Sequence, residues 1–252
     1  MLRLLQFTDL HLRGGVQECV RGVATLDTFG RCLAHAGGAS PAADALLLTG
    51  DLVQDDAGGY RQLVALLGDS RIPVHCLPGN HDLPDALTVL LPAPPFDLSP
   101  ATRHGDWVIL QLDTRVPGAV HGELGRDALA RLASQLAANA DRHVLICLHH
   151  QPVPIGSLWL DAVGLRNGDV LLELARRHGN VRGLLWGHVH QAFDDDRDGL
   201  RLMGTPSTCF QFSPGLAGFA IDGRPPGYRR LALHPDGRIE TEVVWLPVVG
   251  RL

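Results

Sequence analysis

The apolar residues of this chain fall into short continuous runs, each closed by a polar or glycine-containing turn. Residues 2–8, 45–49, 73–77, 106–113, 143–148 and 181–186 read this way and predict strands, the first of them buried. Between them, residues 19–36, 59–68, 123–138 and 169–178 read as helices, and Gly37-Gly38 stops the first. Strand alternating with helix implies crossover units. Pro92 to Pro95 mark a loop. From about residue 193 the pattern changes to short strands at 200–204, 218–222, 228–234 and 239–246, separated by Gly, Pro and Asp turns. No internal repeat, low-complexity tract or linker interrupts it. The pattern predicts one domain over residues 1–252, with two sheets packed face to face and helices outside.

Composition narrows the class. Of 252 residues, 45% are hydrophobic and 19% charged, which suits a sizeable core and argues against disorder. A formal charge of −5 argues against a basic groove for long nucleic acids. A small anionic substrate stays open, because bound metals supply local positive charge. The five cysteines (Cys19, Cys32, Cys76, Cys147, Cys209) show no CxxC spacing, which fits a reduced, cytoplasmic setting. No apolar run has the length of a transmembrane helix, and the first apolar stretch is too short for a signal peptide.

The chemistry sits where the apolar runs end. Five blocks stand there: Asp9-Leu10-His11, Gly50-Asp51, Gly79-Asn80-His81-Asp82, His149-His150 and Gly187-His188-Val189-His190. Carboxylate, amide oxygen and imidazole suit borderline-hard divalent metals. Asp9 and His11, two apart in an extended segment, are expected to point the same way, and the HxH pair likewise. Asp51 has two oxygens with which to bridge two cations. Asn80 offers a neutral carbonyl oxygen, and its neighbour His81 splays away towards substrate. Asp82 is placed to hold the ring of His81 or of a ligand. Of His149 and His150 only one is expected to reach a given site, since neighbouring strand residues face opposite ways. Taken singly, each block has an ordinary reading as a turn or a core histidine. Together, at aligned strand ends, they point to a two-metal hydrolase.

In this order the blocks resemble the calcineurin-like metallophosphoesterase family, whose pattern is DxH, GD, GNH(D/E), H and GHxH. The resemblance implies a four-layer α/β sandwich with two mixed β-sheets. It implies that Asp9, His11, Asp51 and His190 hold one metal. Asp51 would bridge to a second, held also by Asn80, His149 and His188. His11, Asp51, Asn80, His81 and His190 would surround the substrate phosphate, with Asp51 and His81 as the catalytic pair. The metals it implies are two divalent ions, iron or manganese first and zinc next.

Asp161 to Asn167, Thr205 to Phe212 and Pro225 to Arg229 look like the bacterial class III cyclic-AMP phosphodiesterases within that family. Where those often read His-His-Pro-Pro, position 151 here is Gln. The implied reaction is hydrolysis of 3′,5′-cyclic AMP to 5′-AMP by a hydroxide bridging the metals. The alternative is a phosphodiesterase acting on glycerophosphodiesters or other small phosphodiesters. The implied partner is a small cyclic nucleotide, not long nucleic acid or membrane. No long insertion reads as a dimerising cap, which favours a monomer. For the base, Arg166 to Asn167 and the Phe210/Phe212 pair are the places to look. An apolar pair at positions i and i+2 reads first as core.

Overall fold

A computed structural model describes residues 1–38, 42–91 and 94–247. In chain order its elements are β1 (Leu2–Phe7), α1 (Thr25–Gly37), β2 (Ala45–Thr49), α2 (Gly58–Leu67), β3 (Val74–Leu77), α3 (Pro84–Leu90), β4 (Phe96–Asp97) and β5 (Ala101–His104). Then come β6 (Trp107–Leu112), α4 (Arg126–Ala138), β7 (His143–Leu148), α5 (Leu158–Asp161), α6 (Gly168–His178) and β8 (Val181–Trp186). The last are β9 (Phe193–Arg197), β10 (Leu200–Gly204), β11 (Gln211–Phe212), β12 (Ile221–Asp222), β13 (Gly227–Leu233) and β14 (Ile239–Trp245).

One sheet has the order β14-β13-β1-β2-β3-β4 and the other β5-β6-β7-β8-β10-β9. Both are mixed. β1 to β4 run parallel, and β13 joins β1 antiparallel. β6, β7, β8 and β10 run parallel, with β5 and β9 antiparallel at the edges. The parallel strands are continuous apolar runs because both of their faces are covered. β2 is buried at all five positions.

Leu4, Leu47 and Leu77 of the first sheet pack between the sheets against Ile109, Leu145 and Leu185 of the second. The outer face of the first sheet is covered by α1 and α2 through Phe29, Tyr60 and Leu63. The outer face of the second is covered by α4 and α6 through Leu132, Leu136 and Leu171. This is the four-layer arrangement expected. It matters for function because register aligns the strand ends: Phe7 lies beside Leu48, and Thr49 beside Leu77.

Some boundaries moved. The helix expected over 19–36 begins at Thr25. Residues 20–23 instead form a tight hairpin, in which Val20 and Val23 exchange two 2.9 Å backbone bonds. Arg21 and Gly22 at its tip have φ of +50° and +81°, which a helix cannot absorb. The strand expected over 218–222 shrinks to β12, paired with β11. β9 went unread because its sequence, Phe-Asp-Asp-Asp-Arg, carries charge on an edge rather than an apolar run. Of the loop expected at Pro92 to Pro95, residues 92 and 93 lie outside the described residues.

Candidate metal centre

The strand ends deliver their side chains through backbone bends. Asp9, His11, Asp51, His188 and His190 all have positive φ, between +46° and +66°. Left-handed backbone is uncommon for residues with a Cβ and concentrates where function demands it. Asp9 and His11 therefore converge through turns, not through the extended alternation expected. Glycines make room for them. A Cβ on Gly50 (φ +94°) would meet the His149 ring, with His149 Cγ at 2.7 Å. One on Gly187 would strike Thr8 Oγ1 and the Asp9 carboxylate.

The candidate ligand atoms form two adjoining groups. In the first, His190 Nε2 lies 3.3 Å from Asp9 Oδ1 and 3.2 Å from His11 Nε2. In the second, His149 Nε2 lies 3.4 Å from Asp51 Oδ2, and the rings of His149 and His188 are 5.0 Å apart. The same Asp51 oxygen is 3.8 Å from His11 Nε2, so Asp51 stands between the groups. His188 and His190, two apart in sequence, thus go to different groups.

The second nitrogens of the rings fix their direction. His149 Nδ1 donates to the Thr49 carbonyl at 2.9 Å, and His190 Nδ1 to the Phe210 carbonyl at 2.7 Å. Each leaves its Nε2 turned to the centre, the arrangement that orients metal-binding histidines. Asp9 accepts the His188 backbone N–H on both oxygens, at 3.0 and 3.1 Å.

The electrostatics are those of a cation site. Burial alone would push the Asp9 and Asp51 carboxyls up, but His190 beside the first and His149 beside the second outweigh it and hold both below the usual range. Burial opposes the His149 imidazolium, yet the Asp51 carboxylate overcomes it and raises the group to about 9. Burial lowers His11 to about 4. In the second group Asn80 Oδ1, His149 Nε2 and His188 Nε2 have no hydrogen-bond partner, and in the first the Nε2 atoms of His11 and His190 face each other at 3.2 Å. Buried polar atoms normally have a partner. Open oxygen and nitrogen donors in the second group, and two ring nitrogens facing each other beside the Asp9 carboxylate in the first, fit two divalent cations.

The neighbours sort differently from expectation. His150 is buried but spent: Nδ1 lies 2.7 Å from Thr114 Oγ1 and Nε2 3.0 Å from the Val120 carbonyl. Asp82 does not hold His81. It accepts from the backbone N–H of Gly79 and Leu52 and from Tyr60 Oη, pinning the GNHD loop to the Asp51 loop. Burial next to Asp51 raises Asp82 to about 6. His81 is held by Asp55, whose Oδ2 lies 3.0 Å from His81 Nδ1, with Gln54 Nε2 at 2.8 Å. His81 also lies close enough to His11 and Asp51 to share an ion with them. Asn167 is committed to structure, exchanging 3.0 and 2.8 Å bonds with the Leu124 backbone. Sequence reasoning missed Gln54 and Asp55; their place three and four residues after Asp51 was the available signal. Cys209, near His11 and His190, keeps its thiol through burial and lies 2.9 Å from Ser207 Oγ.

A two-sheet sandwich with such a centre at its strand ends defines the metal-dependent phosphoesterases as a class. The chain belongs to the calcineurin-like phosphoesterase family, whose sequence profile matches residues 2–192. Members of that family bind two divalent metals. The chain is 40% identical over 246 residues to the 3′,5′-cyclic adenosine monophosphate phosphodiesterase CpdA of Escherichia coli K12, covering 96% of this chain and 89% of that protein. It is 38% identical to the protein of the same name from Haemophilus influenzae, with the same coverage. A dimetal phosphatase from Danio rerio shares the fold, with a TM-score of 0.66 at 13% identity over 97% of this chain and 98% of that one. No described helix is long and apolar enough to cross a membrane.

Proposed function

We propose that the chain hydrolyses 3′,5′-cyclic AMP to 5′-AMP. The observation that carries this is a full set of seven donors in two adjoining groups, on a chain similar along nearly its whole length to cyclic-AMP phosphodiesterases. Asp9, His11, Asp51 and His190 would hold one ion, and Asp51, Asn80, His149 and His188 the other. The open donors are oxygen and nitrogen, and family likeness favours iron or manganese over zinc. Bound there, the ions would supply charge neutralisation at the phosphate and acidify water.

The chain's own residues do the rest. Thr49 and Phe210 carbonyls keep the protons of His149 and His190 on Nδ1, away from the centre. Asp55 accepts from His81 Nδ1, which leaves His81 Nε2 for the substrate. In its imidazolium form His81 would donate from Nε2 to the departing 3′ oxygen of the ribose. Burial of Asp9, Asp51 and His149 keeps bulk water out and strengthens every charge interaction in the site.

Two measurements test the reading. The kcat/KM for cyclic AMP is expected to exceed that for glycerophosphocholine by at least ~100-fold, a gap of about 3 kcal/mol in transition-state binding. The reverse order would move the substrate to the glycerophosphodiesters. Asp51→Asn is expected to lose bound metal together with all diesterase activity, since one residue serves both groups.

A further inference from the structure

The metal groups read only a phosphate, so selectivity for a nucleoside must come from beyond them. The rings do not stop at His190. Phe212 stacks on its imidazole at 4.2 Å. The edge of Phe212 meets Trp159 at 4.9 Å and Phe219 at 5.4 Å. Phe210 is buried, as a core residue should be, but Phe219 is 46% exposed. Above the Phe219 ring lies the guanidinium of Arg21, 4.5 Å from its centre.

Three distant segments converge here. Arg21 is held at the tip of the tight 20–23 hairpin. Trp159 comes from α5, and Phe219 from the loop between β11 and β12, which Gly215 N–H ties to Ser157 Oγ at 3.0 Å. Arg13, Arg115 and Arg224 pair with carboxylates, whereas Arg21 pairs with none among the described residues. The ring of Phe219 is thus half-exposed, with an arginine free of any carboxylate among the described residues laid over it. A guanidinium plane stacked on a ring is a good partner for the face of a base.

We infer that Phe219 and Arg21, propped by Phe212 and Trp159, form the wall against which the purine base packs while its phosphate lies at the metal centre. This rests on the cyclic-nucleotide reading above. Of the places the sequence offers for the base, it keeps Phe212 as a support and sets aside the buried Phe210 and the structurally committed Asn167.

The test compares cyclic AMP with 1-deoxyribose 3′,5′-cyclic phosphate, which has the same phosphate ring and no base. For Phe219→Ala the ratio of the two kcat/KM values is expected to fall about tenfold, through KM for cyclic AMP, as loss of one base-stacking contact implies. Arg21→Ala is expected to lower the ratio about threefold, and Phe219→Tyr to restore it. Equal losses on both substrates, or an unchanged ratio, would overturn the inference. So would sedimentation showing that Phe219→Ala converts a dimer into a monomer, since the patch would then be a subunit interface. If the unaltered protein leaves cyclic AMP intact but cleaves other diesters, the cyclic-nucleotide reading fails first. A wild-type enzyme that consumes cyclic AMP with a variant ratio unmoved would sink the base wall alone.

Discussion

His81 owes its orientation to Asp55, a residue outside every motif block. Its role separates cleanly from metal binding by experiment. His81→Ala is expected to lower turnover of cyclic AMP by about 10²–10⁴-fold, the usual contribution of a positioned acid, while elemental analysis still finds two ions per chain. Loss of metal in that variant would make His81 a ligand, a role its closeness to His11 and Asp51 permits. That these residues come together was legible in the sequence, because their types and order are so restrictive. Their convergence does not come from strand alternation. Asp9 and His11, and His188 and His190, sit in left-handed turns that period-two reasoning does not describe. Asp82 looked like a ring-holder and proved to be a loop clamp, because its partners are backbone N–H groups that carry no sequence signature.

At the scale of elements, the sequence was most readable where burial is two-sided. β7 and β8 fall on the expected boundaries because their apolar runs are uninterrupted. The Arg21 hairpin and the charged β9 were hidden, since a turn pair and an edge strand lack apolar periodicity. One contact joins the two sheets near the β4 and β5 edges. His75 of β3 and His104 of β5 face each other with Nε2 atoms 3.1 Å apart, and Asp97 of β4 lies 3.2 Å from His75 Nδ1. Burial, and then the neighbouring His104, push His75 below its ordinary 6.5 despite Asp97. Burial lowers His104 too, against the pull of Asp97 and Asp44. A histidine depressed in the folded state takes up its proton more readily when unfolded. Its stabilising effect is therefore complete above pH 6.5 and declines as pH falls below it. The melting temperature of the wild type relative to His75→Leu is accordingly expected to be highest at pH 8 and to shrink by pH 5. A gap that widens on acidification would show the pair to be stabilised by charge.

The molecule as a whole is held by polar as well as apolar contacts between its two sheets. Arg229 of β13 is fully buried and reaches across to β9, pairing its two terminal guanidinium nitrogens with Asp194 at 2.9 Å. It also donates to the Gly204 carbonyl, Thr205 Oγ1 and Thr241 Oγ1. Gln6 joins Thr49, Thr205 and the Trp186 carbonyl beneath the metal centre. Arg229→Met would leave several of these acceptors unpaired in the interior. The expected loss is about 3 kcal/mol, below the upper values for buried pairs because Asp194 is partly exposed. Urea unfolding of the metal-loaded protein measures it, and an unchanged midpoint would show the contact to be dispensable. None of this belt was visible in the sequence beyond the Pro-Pro-Gly-Tyr-Arg stretch, since a buried arginine and an exposed one look alike without their partners.

The measurement that bears most directly on the whole account is identification of the product when manganese-loaded protein meets 3′,5′-cyclic AMP. The expected result is 5′-AMP alone, formed by the wild type and absent with Asp51→Asn. Intact cyclic AMP beside active cleavage of bis(p-nitrophenyl) phosphate would contradict the proposed substrate, and release of 3′-AMP would contradict the assigned leaving group.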